Sequence, residues 1–70
     1  MKLYTTKIVS PDLDYVYHDI ICANSVKQAR EICIKYHDLS ELKVIMVGVK
    51  ELEVTCNSDT PKVASSIMID

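Results

Sequence analysis

The sequence predicts an α+β domain: a three- or four-stranded antiparallel sheet with one helix packed on one face, in the order ββαβ with a last β if the tail pairs. Three observations carry that expectation. Two runs rich in β-branched and aromatic residues stand a short Pro/Asp turn apart near the N-terminus. A Ser-capped segment with apolar residues at helical spacing follows them. A third β-branched run comes after that helix.

Each element has its own signal. Lys2–Val9 (KLYTTKIV) reads as strand one. Ser10-Pro11-Asp12-Leu13-Asp14 reads as a turn, because proline presets its own φ and Asp side chains bond nearby amides. Tyr15–Ala23 (YVYHDIICA) reads as strand two, and the short connection makes an antiparallel hairpin the natural pairing. Ser25 followed by Gln28 fits a capping box: the serine oxygen accepts an early helix amide and the Gln side chain reaches back. Val26, Ala29, Ile32, Cys33 and Tyr36 then form one apolar stripe, with Ile34 at its edge and Lys27, Gln28, Glu31 and Lys35 facing away. His37 falls in the last turn, where a positive charge suits the helix dipole, and the helix is expected to end near Asp38.

Leu42–Val54 reads as strand three, being too β-branched and too short in its apolar centre for a helix. Its alternation changes phase: Ile45, Val47 and Val49 share one parity, Leu52 and Val54 the other. Gly48, the single glycine, is where a β-bulge would absorb that change. Cys56–Pro61 reads as a turn. The apolar residues Val63, Ala64 and Ile67–Ile69 after it suit a fourth strand folding back on strand three, an arm reaching a second subunit, or a frayed tail.

Assembled, these elements give a sheet order 2-1-3, with 4 beyond 3 if the tail pairs. Residues 1–56 form the ββαβ domain, and 57–70 form a turn plus a C-terminal strand, swapped arm or flexible tail. The face away from the helix is expected to carry much of the polarity, including part of the Tyr15, Tyr17 and Asp19 set. Strand three would be a long apolar edge, and such edges attract partners. A homo-dimer or higher oligomer through strand three or the tail is therefore expected.

Size and charge exclude whole classes of function. Seventy residues make a single domain and leave no room for two lobes with a cleft between them. With 26% charged residues and only three Gly and Pro together, the chain is not disordered in composition. A formal net charge of −2 argues against direct nucleic-acid binding, whose footprint is basic. Met1–Lys7 lacks the apolar run of a signal peptide, and no stretch approaches the ~20 apolar residues of a membrane span. Cys22, Cys33 and Cys56 are odd in number and widely spaced, so they read as small hydrophobes in a reducing cytoplasm rather than a disulfide framework.

No constellation points to catalysis. Tyr-His-Asp occurs twice, at Tyr17-His18-Asp19 and Tyr36-His37-Asp38. In a strand His18 and Asp19 point to opposite faces and cannot hold one ion together. Cys33 and His37, four apart on a helix, are the one zinc-like spacing, but the core stripe accounts for Cys33 without a metal. His18 and Cys22 share strand parity at roughly 13 Å, beyond hydrogen-bond reach. No catalytic residue, metal site or cofactor is therefore expected. An interaction patch is expected instead, at Tyr15, Tyr17 and Asp19 of strand two with Glu51 and Glu53 of strand three, since tyrosine brings large contact area with a polar tip. The acids Asp12, Asp14, Asp19, Glu41, Glu51 and Glu53 serve solubility, or form a negative surface that mimics nucleic acid.

The run Ile20–Ile32 (IICANSVKQAREI) is a strand that ends in Ala, a helix capped by Ser25, and an Ala four residues on that packs against the sheet. In this, and in size and layout over Lys2–Val54, the chain resembles small phage-encoded ββαβ accessory proteins, anti-CRISPR proteins among them. The resemblance implies a non-enzymatic module in the host cytoplasm that binds and inhibits a protein complex. The alternatives are an oligomer that binds or sequesters a small ligand at a subunit interface around His18 and Tyr17, and a structural subunit or small enzyme active only as an oligomer.

Overall fold

The structure, a computed structural model, describes residues 1–11, 13–39 and 46–69. Strands β1 (Lys2–Val9) and β2 (Val16–Ala23) are followed by helix α1 (Val26–Tyr36), then β3 (Met46–Thr55) and β4 (Lys62–Ile69). The four strands make one antiparallel sheet in the order β3-β1-β2-β4. The α+β class, the antiparallel sheet and the single helix agree with the sequence reading. Leu42–Ile45, which open strand three in that reading, lie outside the described residues, as do Asp12 and Glu41.

The tail differs from expectation. β4 pairs with β2, not with β3. The physical reason is a disulfide between Cys22 and Cys56, whose Cα atoms are 6.0 Å apart. Cys56 also donates its N–H to the Met1 carbonyl at 2.9 Å. Together these carry the chain past the start of β1 and deliver it beside β2, where Lys62 pairs with Cys22 itself. The reading of all three cysteines as isolated hydrophobes is corrected: only Cys33 is free, and it is buried.

Alternation in β1 sets the two faces. Tyr4, Thr6 and Ile8 are buried beneath the helix; Leu3, Thr5, Lys7 and Val9 point the other way. The register places Ile21, Asp19 and Tyr17 of β2 beside Tyr4, Thr6 and Ile8, on the helix side. Ala29 and Cys33 of α1 close that core with Leu39, while Val47, Val49 and Val63 flank it. The expected stripe holds at its centre only, because Val26 and Tyr36 are exposed.

The β-bulge is not at Gly48. Gly48 pairs in regular register with Lys7, and the irregularity lies where Leu3 and Lys2 face Leu52 and Thr55, leaving Glu53 and Val54 as the extra residues. The phase change in the sequence has a different origin: Val47 and Val49 face the helix, and Leu52 faces the opposite side beside Leu3.

Both helix ends are satisfied locally. Ser25 Oγ accepts from Gln28 N at 3.1 Å, and Gln28 Oε1 accepts from Asn24 N at 2.7 Å. At the other end Asp38 N donates to Lys35 O and Leu39 N to Ile34 O, a Schellman motif with Asp38 in the left-handed region at φ 54°. Asp tolerates that region less well than glycine. Asp38→Gly is therefore expected to raise stability by about 0.5–1 kcal/mol in urea unfolding. Replacing Cys22 and Cys56 by Ala should lower it by about 2–4 kcal/mol, a large part of the stability of so small a domain. Cys33 should resist a thiol reagent in the native protein and react at the rate of unfolding.

Candidate functional site

Two regions concentrate chemistry: a polar node under the helix, and the sheet face on the far side. The node is built on Asp19 at the centre of β2. Its side chain has no solvent exposure, and both of its carboxylate oxygens are engaged. His37 Nε2 lies 2.7 Å from Oδ2, and Ser66 Oγ donates to Oδ1 at 2.5 Å. An ionised carboxylate only accepts, so both partners donate. His37 reaches Asp19 because it is the C-cap of α1, and Ser66 because it pairs with Asp19 in the β2–β4 ladder.

Aromatic rings extend the node. His37 stacks on Tyr17 with ring centroids 3.7 Å apart, and Tyr36 meets His37 edge-on at 5.0 Å. Tyr17 donates its hydroxyl to Tyr15 at 3.4 Å, and the two rings pack edge-to-face. That hydrogen bond, with desolvation and the nearby Asp19 charge, raises the Tyr17 pKa above the ordinary phenol value. Burial pushes the Cys33 thiol up as well, with the Thr6 hydroxyl pulling the other way.

The node contains Ser, Asp and His, but not in an order that activates a nucleophile. Ser66 gives its proton to the carboxylate, and the imidazole nitrogen that would take it is occupied by Asp19. Its chemistry is cross-linking: one carboxylate ties the end of α1 and the middle of β4 to β2. Cys33 and His37 do not converge either, since Cys33 Sγ donates to the Arg30 carbonyl at 3.2 Å. Among the described residues no three metal-ligating side chains group together.

The residues expected to form one interaction patch are thus separated. Asp19 is buried, a correction to its place on an outer face. Tyr17 is half-buried on the same helix side, with Tyr15 beyond it just before β2, which starts at Val16 and not at Tyr15 as the sequence suggested. Glu51 and Glu53 are exposed along β3, where they share an edge groove with Lys2, and Lys2 Nζ pairs with Glu51 Oε2 at 3.2 Å. Asp14 stands at the opposite end of the sheet. Among the described residues the acids do not gather into one negative surface. The repeated Tyr-His-Asp held the one hint of the node, for the fold joins Tyr17 and Asp19 of the first copy to His37 of the second.

The far face carries part of the polarity expected of it, in Thr5, Lys7, His18, Lys50 and Ser65, with aliphatic side chains beside them. Among the described residues no element lies on it. Val9, Ile20, Ile67 and Ile69 are exposed there, Ile67 at 55%, and Met46 at 70% adjoins them at the end of β3. Two grooves cross it. One, of about 390 Å³, is lined by Thr5, Lys7, His18, Gly48 and Lys50. The other, of about 190 Å³, is lined by Thr5, His18, Ile20, Ser65 and Ile67, with Thr6 and Asp19, whose side chain has no solvent exposure, completing it. Gly48 leaves the first open: a Cβ added there would meet nothing within 4 Å.

Fold and site together define a two-layer α+β domain with one helix-covered face and one bare, partly aliphatic face. Compared with protein-family models, curated proteins and solved structures, the chain matches none of them. No helix among the described residues is long and apolar enough to cross a membrane.

Asp19→Ala strips the node of its acceptor and leaves two part-buried donors unpaired. It is expected to cost about 3–5 kcal/mol, whereas Ser66→Ala, which keeps the His37 contact, should cost about 1–3 kcal/mol. Urea unfolding of the two variants checks the order; equal losses would mean that Asp19 is not the centre of the node.

Proposed function

We propose that this chain is a small non-enzymatic protein-binding module that works through the bare face of its sheet. The observation that supports it is the set of exposed aliphatic side chains gathered on that face, Ile20, Ile67 and Ile69 above all. Contiguous apolar surface of this kind marks interaction sites. The patch expected at Tyr15, Tyr17 and Asp19 is the weaker choice, because these side chains are committed to one another and to His37. An inhibitor of a larger complex, of the sort phage accessory proteins provide, is one form that such a module takes. The Cys22–Cys56 disulfide supports action in an oxidising compartment rather than in the reducing cytoplasm.

A photo-crosslinking amino acid placed at Ile20 or Ile67, and for comparison at Arg30 or Glu31 on the outer side of the helix, tests the binding face in the cells that make the protein. The same specific adduct is expected from both sheet positions, absent from both helix positions, and lost when Ile20→Asp is added to the Ile67 probe. Adducts from the helix positions alone would overturn the reading. Maleimide labelling of the unfolded, unreduced protein from the same cells should count one free thiol.

A further inference from the structure

We infer that the partner presents an acidic amphipathic helix, its aliphatic side chains on Ile20 and Ile67 and its carboxylates on Lys7 and Lys50; this rests on the binding reading above. The argument is charge complementarity. The chain as a whole is acidic, with a formal net charge of −2. Its bare face is the reverse. Lys7 of β1, Lys50 of β3 and Lys62 of β4 stand at positions whose ladder partners, Gly48, Thr5 and Cys22, belong to that face. No carboxylate of the described strands stands in regular register there. Asp19 is under the helix, Glu51 is paired with Lys2 on the helix side, and Glu53 is in the bulge.

The two grooves divide the work. Lys7, Lys50 and His18 border the one that Gly48 opens, and Ile20 with Ile67 borders its neighbour. Thr5 and His18 line both, so the grooves adjoin. From β3 to β2 is two strand spacings, roughly 10 Å, or about two turns of helix. A carboxylate and an aliphatic side chain about seven residues apart on one helix face fit that separation. A helix suits the face of a sheet, as an extended strand suits its edge.

The same chemistry disfavours phosphate-bearing partners. The face carries no Tyr, Phe or Trp on which bases would stack. The acidic body repels a polyanion such as nucleic acid or an anionic membrane more strongly than a helix with two or three carboxylates, whose few charges the local lysines offset.

Selection of a phage-displayed helical peptide library against the folded, disulfide-bonded protein tests this. Enriched peptides should carry Asp or Glu beside aliphatic residues on one face. The affinity of such a peptide should fall about tenfold for Lys7→Glu with Lys50→Glu, and fall likewise for Ile20→Ser with Ile67→Ser. Replacing the peptide's acids by Lys should restore binding to the Lys7→Glu/Lys50→Glu protein, a readout that general destabilisation cannot produce. Enriched peptides that need Ile20 and Ile67 but carry no acids would overturn the inference and leave the binding face standing. No enrichment, or binding indifferent to both pairs, would overturn both. Tighter binding of poly(U) or phosphatidylserine vesicles than of any peptide, lost with Lys7 and Lys50, would overturn the inference in favour of a phosphate ligand.

Discussion

The buried carboxylate of Asp19 is the constraint around which this molecule is arranged. A charge with no solvent exposure is tolerated only when donors surround it. Here one donor comes from the end of the helix and the other from the last strand. The need to satisfy Asp19 therefore fixes two long-range relationships at once. The helix must stop where its C-cap imidazole meets β2, which the left-handed Asp38 and the Schellman bonds arrange. β4 must lie in the register that sets Ser66 opposite Asp19. The stacking of Tyr17 on His37, and the edge-to-face packing of Tyr15 on Tyr17, follow from the imidazole's orientation.

The second constraint is coverage. A helix of 11 residues is about 16 Å long and shields one face of a four-stranded sheet at most. The core it makes is small, with Tyr4 its one buried aromatic ring. Domains of this size often need a covalent staple, and the Cys22–Cys56 bond is one. The far face keeps its aliphatic side chains in water. Exposed apolar surface next to lysines, on an otherwise acidic body, is the feature on which the proposed binding function rests.

The sheet edges differ in how they are protected. β3 carries Lys50, Glu51 and Glu53 and a bulge, all of which discourage pairing with another chain. The outer edge of β4 has no charged side chain from Val63 to Ile69. The apolar edge anticipated at strand three belongs instead to the last strand, because Cys56 carries the chain to the other side of the sheet.

What could be read in the sequence was local. The strand character of β1 and β2, the Ser25–Gln28 capping box and the end of the helix near Asp38 depend on residues within one or two turns of each other. The burial of Asp19, expected on an outer face, was a tertiary matter, for an Asp in an alternating strand looks the same whether solvent or an imidazole 18 residues away awaits it. The disulfide joins cysteines 34 residues apart, and an odd cysteine count hid it. The bulge moved from Gly48 to Glu53–Val54 because bulges answer to the partner strand and not to the glycine. Sequence alone determined the class, the hairpin and the capped helix, since short-range propensity and hydrogen bonding suffice for them. Tertiary structure decided the place of β4, the burial of Asp19 and the identity of the bare face, because each depends on which distant groups meet when the sheet closes.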